Sequence, residues 1–560
     1  MEIIDRLTVG WRAYALIALV ALLAVLPGFA SIPVTDRDEA RFAQATRQML
    51  ETGDFVRINV QDEPRNKKPI GIHWMQAAAV ALTEPITGNL NTIWAYRIPS
   101  LLGVIIAALA AFWGGIPLVG RRAAFVGACL LGATMLLSTE GIIAKTDAML
   151  CGLTTLALAA LARLRERMGS GRREALIFWI AIGIAVLVKG PVAPMVVALT
   201  LAALFAWERR ARWMAPLLWW PGPILAVLIV APWLIAIQAA TDGAFLREAI
   251  SGDLFPKLGG GDEGHSGPFG YHLALLLLSF FPATIGLAPG LVLAWHAARA
   301  PRSESTHGGV RFLIAWAVPT WLVFEILGTK LPHYVLPAFP ALALLAGAGL
   351  VAAEARGWRI STAVSLVLFA LGAAAMVALN GVGTTFMPGD EEASVRRFFQ
   401  TIILGGAGAL VLLIAMLFIK RAEARAAAAI LFMLIAMYSL RERILPEART
   451  VLVSAEADAA LERAGLGERA LTVIGYRETS MAFLTRTDAR LLAEADWRAA
   501  AANIAVHSAA AVSCNVAGDF DARLAARGLS FETHGEVRGT NYANGDFTCL
   551  NVGEIIAAPP

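Results

Sequence analysis

The chain is short of charge. Only 16% of its 560 residues are Asp, Glu, Lys or Arg, against 58% hydrophobic, and the mean hydropathy is +0.64. A soluble domain carries about 25% charged residues, so lipid must serve as solvent for much of this sequence. The formal charge is only +4, and no Lys/Arg stripe is interleaved with aromatics, which argues against nucleic-acid binding. Nucleotide signatures are missing as well. There is no Gly-x-x-x-x-Gly-Lys-Ser/Thr loop and no Gly-x-Gly-x-x-Gly after a strand. The apolar run Ala13–Ala30 is not followed by a small-x-small cleavage site, so it is expected to remain as a first span. Cysteines number four. Cys129 and Cys151 lie in apolar runs, where a free thiol behaves as a small hydrophobe.

What is abundant is the apolar run. About 20 apolar residues cross a bilayer as a helix. Runs of that kind fall near 12–30, 97–119, 123–140, 147–163, 174–190, 191–207, 217–239, 270–295, 311–328, 334–353, 360–380, 399–419 and 426–440. About thirteen spans are expected, with Lys189–Gly190–Pro191 as a break between two of them. Alternate connections hold arginine-rich clusters such as Arg163/Arg165/Arg167/Arg172/Arg173 and Arg209/Arg210/Arg212, while the opposite set holds isolated cations such as Lys145, Lys189 and Lys330. The positive-inside rule makes the first set cytoplasmic, and an odd number of spans puts the C-terminal region on the outer face.

Two long segments lie on that outer side. Residues 31–96 form the first loop of a membrane domain spanning 1–440. Residues 441–560 read as a small soluble α/β domain, with strands expected at Leu471–Tyr476, Ile504–Val506, Ala511–Val516 and Asp546–Val552 and a helix at Ser454–Ala464. Cys514 and Cys549 fall in two of those strands, in a compartment where disulfides persist, and are expected to be bonded.

Charges at a membrane edge mark function. The first loop reads Thr35–Asp36–Arg37–Asp38–Glu39–Ala40–Arg41–Phe42. Asp36 with Glu39 has the form of a capping box, and Phe42, Ala45 and Met49 continue at helical spacing. A cap needs one or two carboxylates, whereas three stand here. Further on, Lys67–Lys68–Pro69 precedes an amphipathic stretch, Ile70–Leu82. Those lysines suit either headgroup contacts or a lipid phosphate. Glu140, Lys145 and Asp147 sit together between two spans, where Asp147 also suits an N-cap. Gly259–Pro268 is glycine-rich and contains Asp262, Glu263 and His265, residue types that ligate metals. Gly328–Tyr334 supplies Lys330 and His333.

Taken in order, these segments resemble the membrane glycosyltransferases of the GT-C type, specifically the aminoarabinose transferase and protein O-mannosyltransferase superfamily. The family's Asp-Glu-x-Arg-(Tyr/Phe) motif is matched by Asp38–Glu39–Ala40–Arg41–Phe42, its Glu-Lys-Pro-Pro motif by Lys67–Lys68–Pro69–Ile70, and its later Asp by Asp147. Lys189–Gly190–Pro191 and Lys330–Leu331–Pro332–His333–Tyr334–Val335–Leu336–Pro337 complete the pattern across residues 30–340. The resemblance implies an α-helical polytopic GT-C fold and transfer, with inversion, of a sugar from a polyprenyl-phosphate carrier to lipid A or another glycan or lipid. A protein acceptor, as in the O-mannosyltransferases, is the alternative. A transporter or flippase is the competing class, but it would show mid-span charges, broken helices and an internal repeat. The missing nucleotide motifs suit a lipid-linked donor with no nucleotide cofactor, and the orientation read above leads to the expectation of a bacterial inner-membrane protein with active site and C-terminal domain periplasmic. A monomer is expected. Asp38 is expected as base or acceptor-orienting carboxylate, with Asp147 and Glu39 as further acidic catalytic residues, and Lys68, Arg41, Lys330, His333 and Lys67 as donor-phosphate contacts. In aminoarabinose transferases the Glu before Lys-Pro and a later His hold a divalent metal. His265 matches the His and Glu263 lies beside it, but Lys67 replaces the Glu.

Overall fold

The computed structural model describes residues 8–35, 37–254, 266–301 and 307–558. Each of the thirteen expected apolar runs carries a helix. Eight are single helices long and apolar enough to cross a membrane, and two more are bent pairs. The bent pairs are Arg121–Gly132 with Met135–Gly141 (57°) and Tyr271–Ser279 with Ala283–Arg299 (103°). The other three runs fall on Trp11–Val25, Arg172–Lys189 and Val192–Glu208, which are shorter or more polar. The chain is a multi-pass membrane protein.

Six helices position the site: α1 (Asp38–Thr52), α2 (Gly71–Thr87), α3 (Ile93–Val119), α4 (Met135–Gly141), α5 (Asp147–Arg165) and α6 (Arg172–Lys189). Small residues let α3 and α5 touch backbone to backbone. A Cβ on Gly103 would lie 2.4 Å from the Ala148 carbonyl carbon, and one on Gly152 would lie 2.5 Å from the Gly103 oxygen. Without a hydrophobic force between helices in lipid, such approach is what packs them, and it fixes where Asp147 emerges. The expected break after α6 is real: Gly190 has φ +62° and turns the chain into Val192–Glu208. The amphipathic stretch becomes α2, which buries Ile72, His73, Gln76, Ala77 and Val80.

The C-terminal domain is a five-stranded mixed sheet. Its strands are β1 (Leu471–Ile474), β2 (Arg490–Leu492), β3 (Ala509–Ser513), β4 (Leu529–Asn541) and β5 (Asp546–Ala557), in the order β2-β1-β3-β5-β4. β1 runs parallel to β2 and β3, while β5 is antiparallel to β3 and β4. Alternate residues of the central strands face opposite helical layers. Ala509 and Ala511 pack with helix Val453–Arg463, and Ala510 and Val512 with Trp497–Asn503 and Ala517–Ala525.

Two strand expectations need correction. Ile504–Val506 is not a strand, because Ile504 is spent in the core beneath the sheet. The long β4 escaped notice, because as an edge strand it exposes Glu532, His534 and Arg538 and lacks an apolar run. The disulfide Cys514–Cys549 is present, with Cα atoms 5.4 Å apart.

Candidate active site

α1 opens with two adjacent carboxylates that go separate ways. Glu39 turns inward and is buried. Its Oε1 accepts from Arg97 Nε at 2.8 Å and from the Ala144 N–H at 2.9 Å, and its Oε2 accepts from Arg97 Nη2 at 3.0 Å and from the Thr35 N–H and hydroxyl at 2.8 Å. Burial pushes the carboxyl's pKa up, but Arg97 and these bonds outweigh it and hold the value below normal. Arg97 itself is buried and also donates to the carbonyls of Phe29, Ile32 and Pro33. Glu39 therefore reaches back to Thr35 as a cap does, while its expected partner Asp36 lies outside the described residues. Asp38 turns outward instead. Its side chain is 51% exposed and lies 3.7 Å from Arg65 Nη2, and Arg65 in turn lies over the Phe42 ring.

Behind α1, a polar relay reaches the turn before α5. Thr46 Oγ1 donates to Gln76 Oε1 at 2.7 Å, so it must accept from His73 Nδ1 at 2.8 Å. Gln76 Nε2 then donates to the Ala144 carbonyl at 3.1 Å. Burial, helped by Arg65, pushes the His73 pKa down to about 3. The Ala144 peptide units are thus held by Glu39 on the N–H side and Gln76 on the carbonyl side. Ser100 Oγ lies 2.7 Å and 3.2 Å from the Ile143 and Lys145 carbonyl oxygens.

That turn delivers Lys145 to a cluster of charges in which Glu140 at the end of α4, Asp147 at the start of α5 and His333 in the 3-10 turn Pro332–Ala338 are buried and Lys189 at the end of α6 is partly exposed. Lys145 Nζ lies 3.0 Å from Glu140 Oε2, 3.4 Å from His333 Nδ1 and 3.8 Å from Asp147 Oδ2. Burial disfavours the ammonium, but Glu140 and Asp147 overcome this and raise its pKa above the usual lysine value. Lys189 donates to Asp147 Oδ1, and His333 Nε2 is 3.6 Å from the same oxygen. Asp147 is not the N-cap of α5; that place belongs to Thr146.

Lys145, Asp147, Lys189 and His333 form the floor of a cavity of about 2090 Å³, and Glu140 is not among its lining residues. Asp38, Arg41, Arg65, Lys67 and Lys68 line its side. Its roof is the C-terminal domain, through Arg477–Thr479 and the segment 484–492 after helix α7 (Thr479–Leu484). The roof is fastened to the first loop mostly through main-chain acceptors, with one side-chain bond from Gln44 Nε2 to Thr487 Oγ1 at 2.8 Å. Arg47 donates to the carbonyls of Ala482, Phe483 and Thr485, Gln61 to those of Thr487 and Ala489, and Asn91 to that of Leu484.

The cavity brings together Asp38, Glu39, Arg41, Lys67, Lys68, Asp147 and His333 from the expected set. Lys330 is not among its lining residues; its ammonium donates to the carbonyls of Glu325 and Leu327 at 2.6 Å and 2.7 Å. Sequence reasoning singled out Glu140 and Lys145 beside Asp147 but gave them no role in the site, although charges at the ends of apolar runs are a signal in themselves. Arg97, inside a span, and the roof residues were also missed. His265 and Glu263 lie outside the described residues. At the other position of the family's metal pair the cavity holds Lys67, whose ammonium has no lone pair to donate, so the residues described do not fit that ion.

Comparison with known proteins agrees with the geometry. The family model described as dolichyl-phosphate-mannose-protein mannosyltransferase matches residues 67–235. An undecaprenyl phosphate-alpha-4-amino-4-deoxy-L-arabinose arabinosyl transferase of Edwardsiella ictaluri is 29% identical over 60% of this chain and 58% of its own length. One of Erwinia tasmaniensis is 29% identical over 61% and 60%. The chain thus spans about three fifths of these curated relatives. ArnT from Cupriavidus metallidurans bound to undecaprenyl phosphate superposes with a TM-score of 0.76 over 98% of this chain and 99% of the other, at 20% identity. The apo oligosaccharyltransferase of Archaeoglobus fulgidus gives 0.52 over 97% and 74%, at 12% identity. The fold is therefore that of a GT-C membrane protein. Within that class, the chain is similar in sequence to the aminoarabinose transferases and, over residues 67–235, to the protein mannosyltransferases.

Proposed function

We propose that the chain is an inverting glycosyltransferase that moves a sugar from a polyprenyl-phosphate carrier to an envelope lipid or glycan, lipid A included, on the periplasmic face of the inner membrane. The observation that carries this reading is the cavity where the membrane helices meet the C-terminal domain, with an exposed carboxylate facing a group of cations. Departure of the lipid phosphate leaves negative charge, and preorganised cations stabilise it without reorganisation. Lys67, Lys68 and Arg41 line the cavity for that purpose, and Lys189 holds Asp147 oriented beside His333. Asp38, with Arg65 3.7 Å away, takes the acceptor hydroxyl's proton or orients the acceptor. Residue 39 contributes by fixing the turn that carries Lys145.

The test is genetic and chemical. The gene is deleted in its native bacterium and complemented with wild type or Asp38→Asn, and lipid A and envelope glycans are compared by mass spectrometry. Loss of one sugar mass, restored by wild type alone, is the expected result. Full restoration by Asp38→Asn would remove Asp38 from the chemistry. Redistribution of lipid-linked sugar across the membrane without glycan change would mean a transporter.

A further inference from the structure

Glu140, Asp147 and His333 bring ligand-type atoms within 4.8 Å of one another, the spacing of a donor set for a divalent ion. An ammonium already stands among them. Lys145 Nζ lies 3.0 Å, 3.4 Å and 3.8 Å from atoms of Glu140, His333 and Asp147, and Lys189 takes the other Asp147 oxygen. Two carboxylates are matched by two fixed cations, and a divalent ion added here would meet both ammonium groups at short range. The placement is also built into the scaffold. Glu39, Gln76 and Ser100, on three different helices, hold the main chain of residues 143–145. An ion pair serving only stability needs no such cradle, nor an ammonium on a cavity wall.

We propose that Lys145 is a resident cation of the site, occupying the Glu140–Asp147–His333 donor set in place of a divalent ion and meeting the phosphate of the lipid donor, with Glu140 as its positioning residue. The phosphate contact rests on the donor reading given above; the occupancy of the donor set does not.

Two arms test this on the purified full-length protein in detergent. In the first, chelated protein is titrated with Mn²⁺, and bound ion is counted by electron paramagnetic resonance and calorimetry. Wild type is expected to show no Mn²⁺ site that depends on Glu140. Lys145→Met, which keeps the stem and removes the charge, gains one such site, and adding Glu140→Gln abolishes it. A Mn²⁺ site in wild type that Glu140→Gln removes would overturn the proposal, as would failure of Lys145→Met to gain one. In the second arm, undecaprenyl phosphate is the probe, read by tryptophan fluorescence. Lys145→Met weakens it about ten-fold, the loss of one charge-assisted contact, while Lys145→Arg, which keeps the charge, loses clearly less. Equal binding by wild type and Lys145→Met would overturn the phosphate contact. No binding by wild type would instead overturn the donor reading and leave the first arm to decide the occupancy. If Lys145→Met is not monodisperse, Lys145→Ala serves both arms.

Discussion

The floor and the roof of the cavity are built from different kinds of bond. On the floor, side chains hold side chains: Lys145, Lys189 and His333 each lie within ion-pair range of Asp147, with Glu140 3.0 Å from Lys145, and Glu39 pairs with Arg97 behind them. On the roof, side chains of the first loop hold main-chain carbonyls of residues 482–489. A carboxylate–cation pair demands particular residues, since removing one partner strands a buried charge. A carbonyl acceptor is offered by every residue type. The floor is therefore specified in sequence, whereas the roof is specified by shape.

The contrast is sharpest at Arg97. Replacing it with Met leaves the Glu39 carboxylate buried without its cation, and losing one partner of a buried pair costs about 3–5 kcal/mol. Thermal unfolding in detergent should show that loss, and Arg97→Lys, which lacks the bidentate fork, should recover only part of it. A smaller effect is expected far from the floor. Serine at both Cys514 and Cys549 removes a cross-link spanning 35 residues, which constrains the unfolded chain by about 3–4 kcal/mol. Neither cysteine lines the cavity, so the proposed sugar transfer should persist while the C-terminal domain unfolds earlier. Arg47→Met tests the roof directly. Losing its charge-assisted donors should cost about 2 kcal/mol, seen as faster hydrogen exchange across residues 482–489 with exchange around Asp147 unchanged. If exchange instead rises equally at floor and roof, the two are one cooperative unit and the comparison fails.

The same contrast explains what could be read without a structure. Each membrane helix was legible because lipid demands long apolar runs. Asp38, Lys68, Asp147 and His333 could be picked out as candidates, and all four line the cavity, because charges at such edges are costly even where a cap or a headgroup could explain them. Glu39 was assigned to chemistry because adjacent carboxylates look equivalent in a sequence; only the helix phase, which turns one toward Arg97 and the other toward the cavity, separates them. Lys330 was misplaced for a similar reason, since its partners are carbonyls of its own turn. The roof carried no quotable motif because its fastening uses the backbone of residues 482–489. Likewise β4 was hidden by polar alternation on a solvated edge.

The gentlest test concerns the relay from His73 to the turn that carries Lys145. In the folded chain the imidazole is buried and its pKa is pushed down to about 3 from an ordinary 6.5. Above pH 6.5 it is neutral whether folded or not, and contributes no pH dependence. Between pH 6.5 and about 3 the unfolded chain binds a proton that the folded chain does not, so stability falls as pH falls, by about 1.4 kcal/mol per unit. Glu39 works in the same direction in a lower window. Its folded value lies below the ordinary 4.5, so its contribution is present above 4.5 and is lost as pH falls through its depressed value. In the interval from pH 6.5 to 4.5 Glu39 does not contribute, and the difference between wild type and His73→Asn isolates the imidazole from the other groups that titrate there. Unfolding of wild type and His73→Asn, followed across that interval, should give a steeper decline for wild type, the difference approaching that of one proton. Equal slopes would mean that the folded chain protonates His73, and that the relay to Ala144 does not hold it neutral.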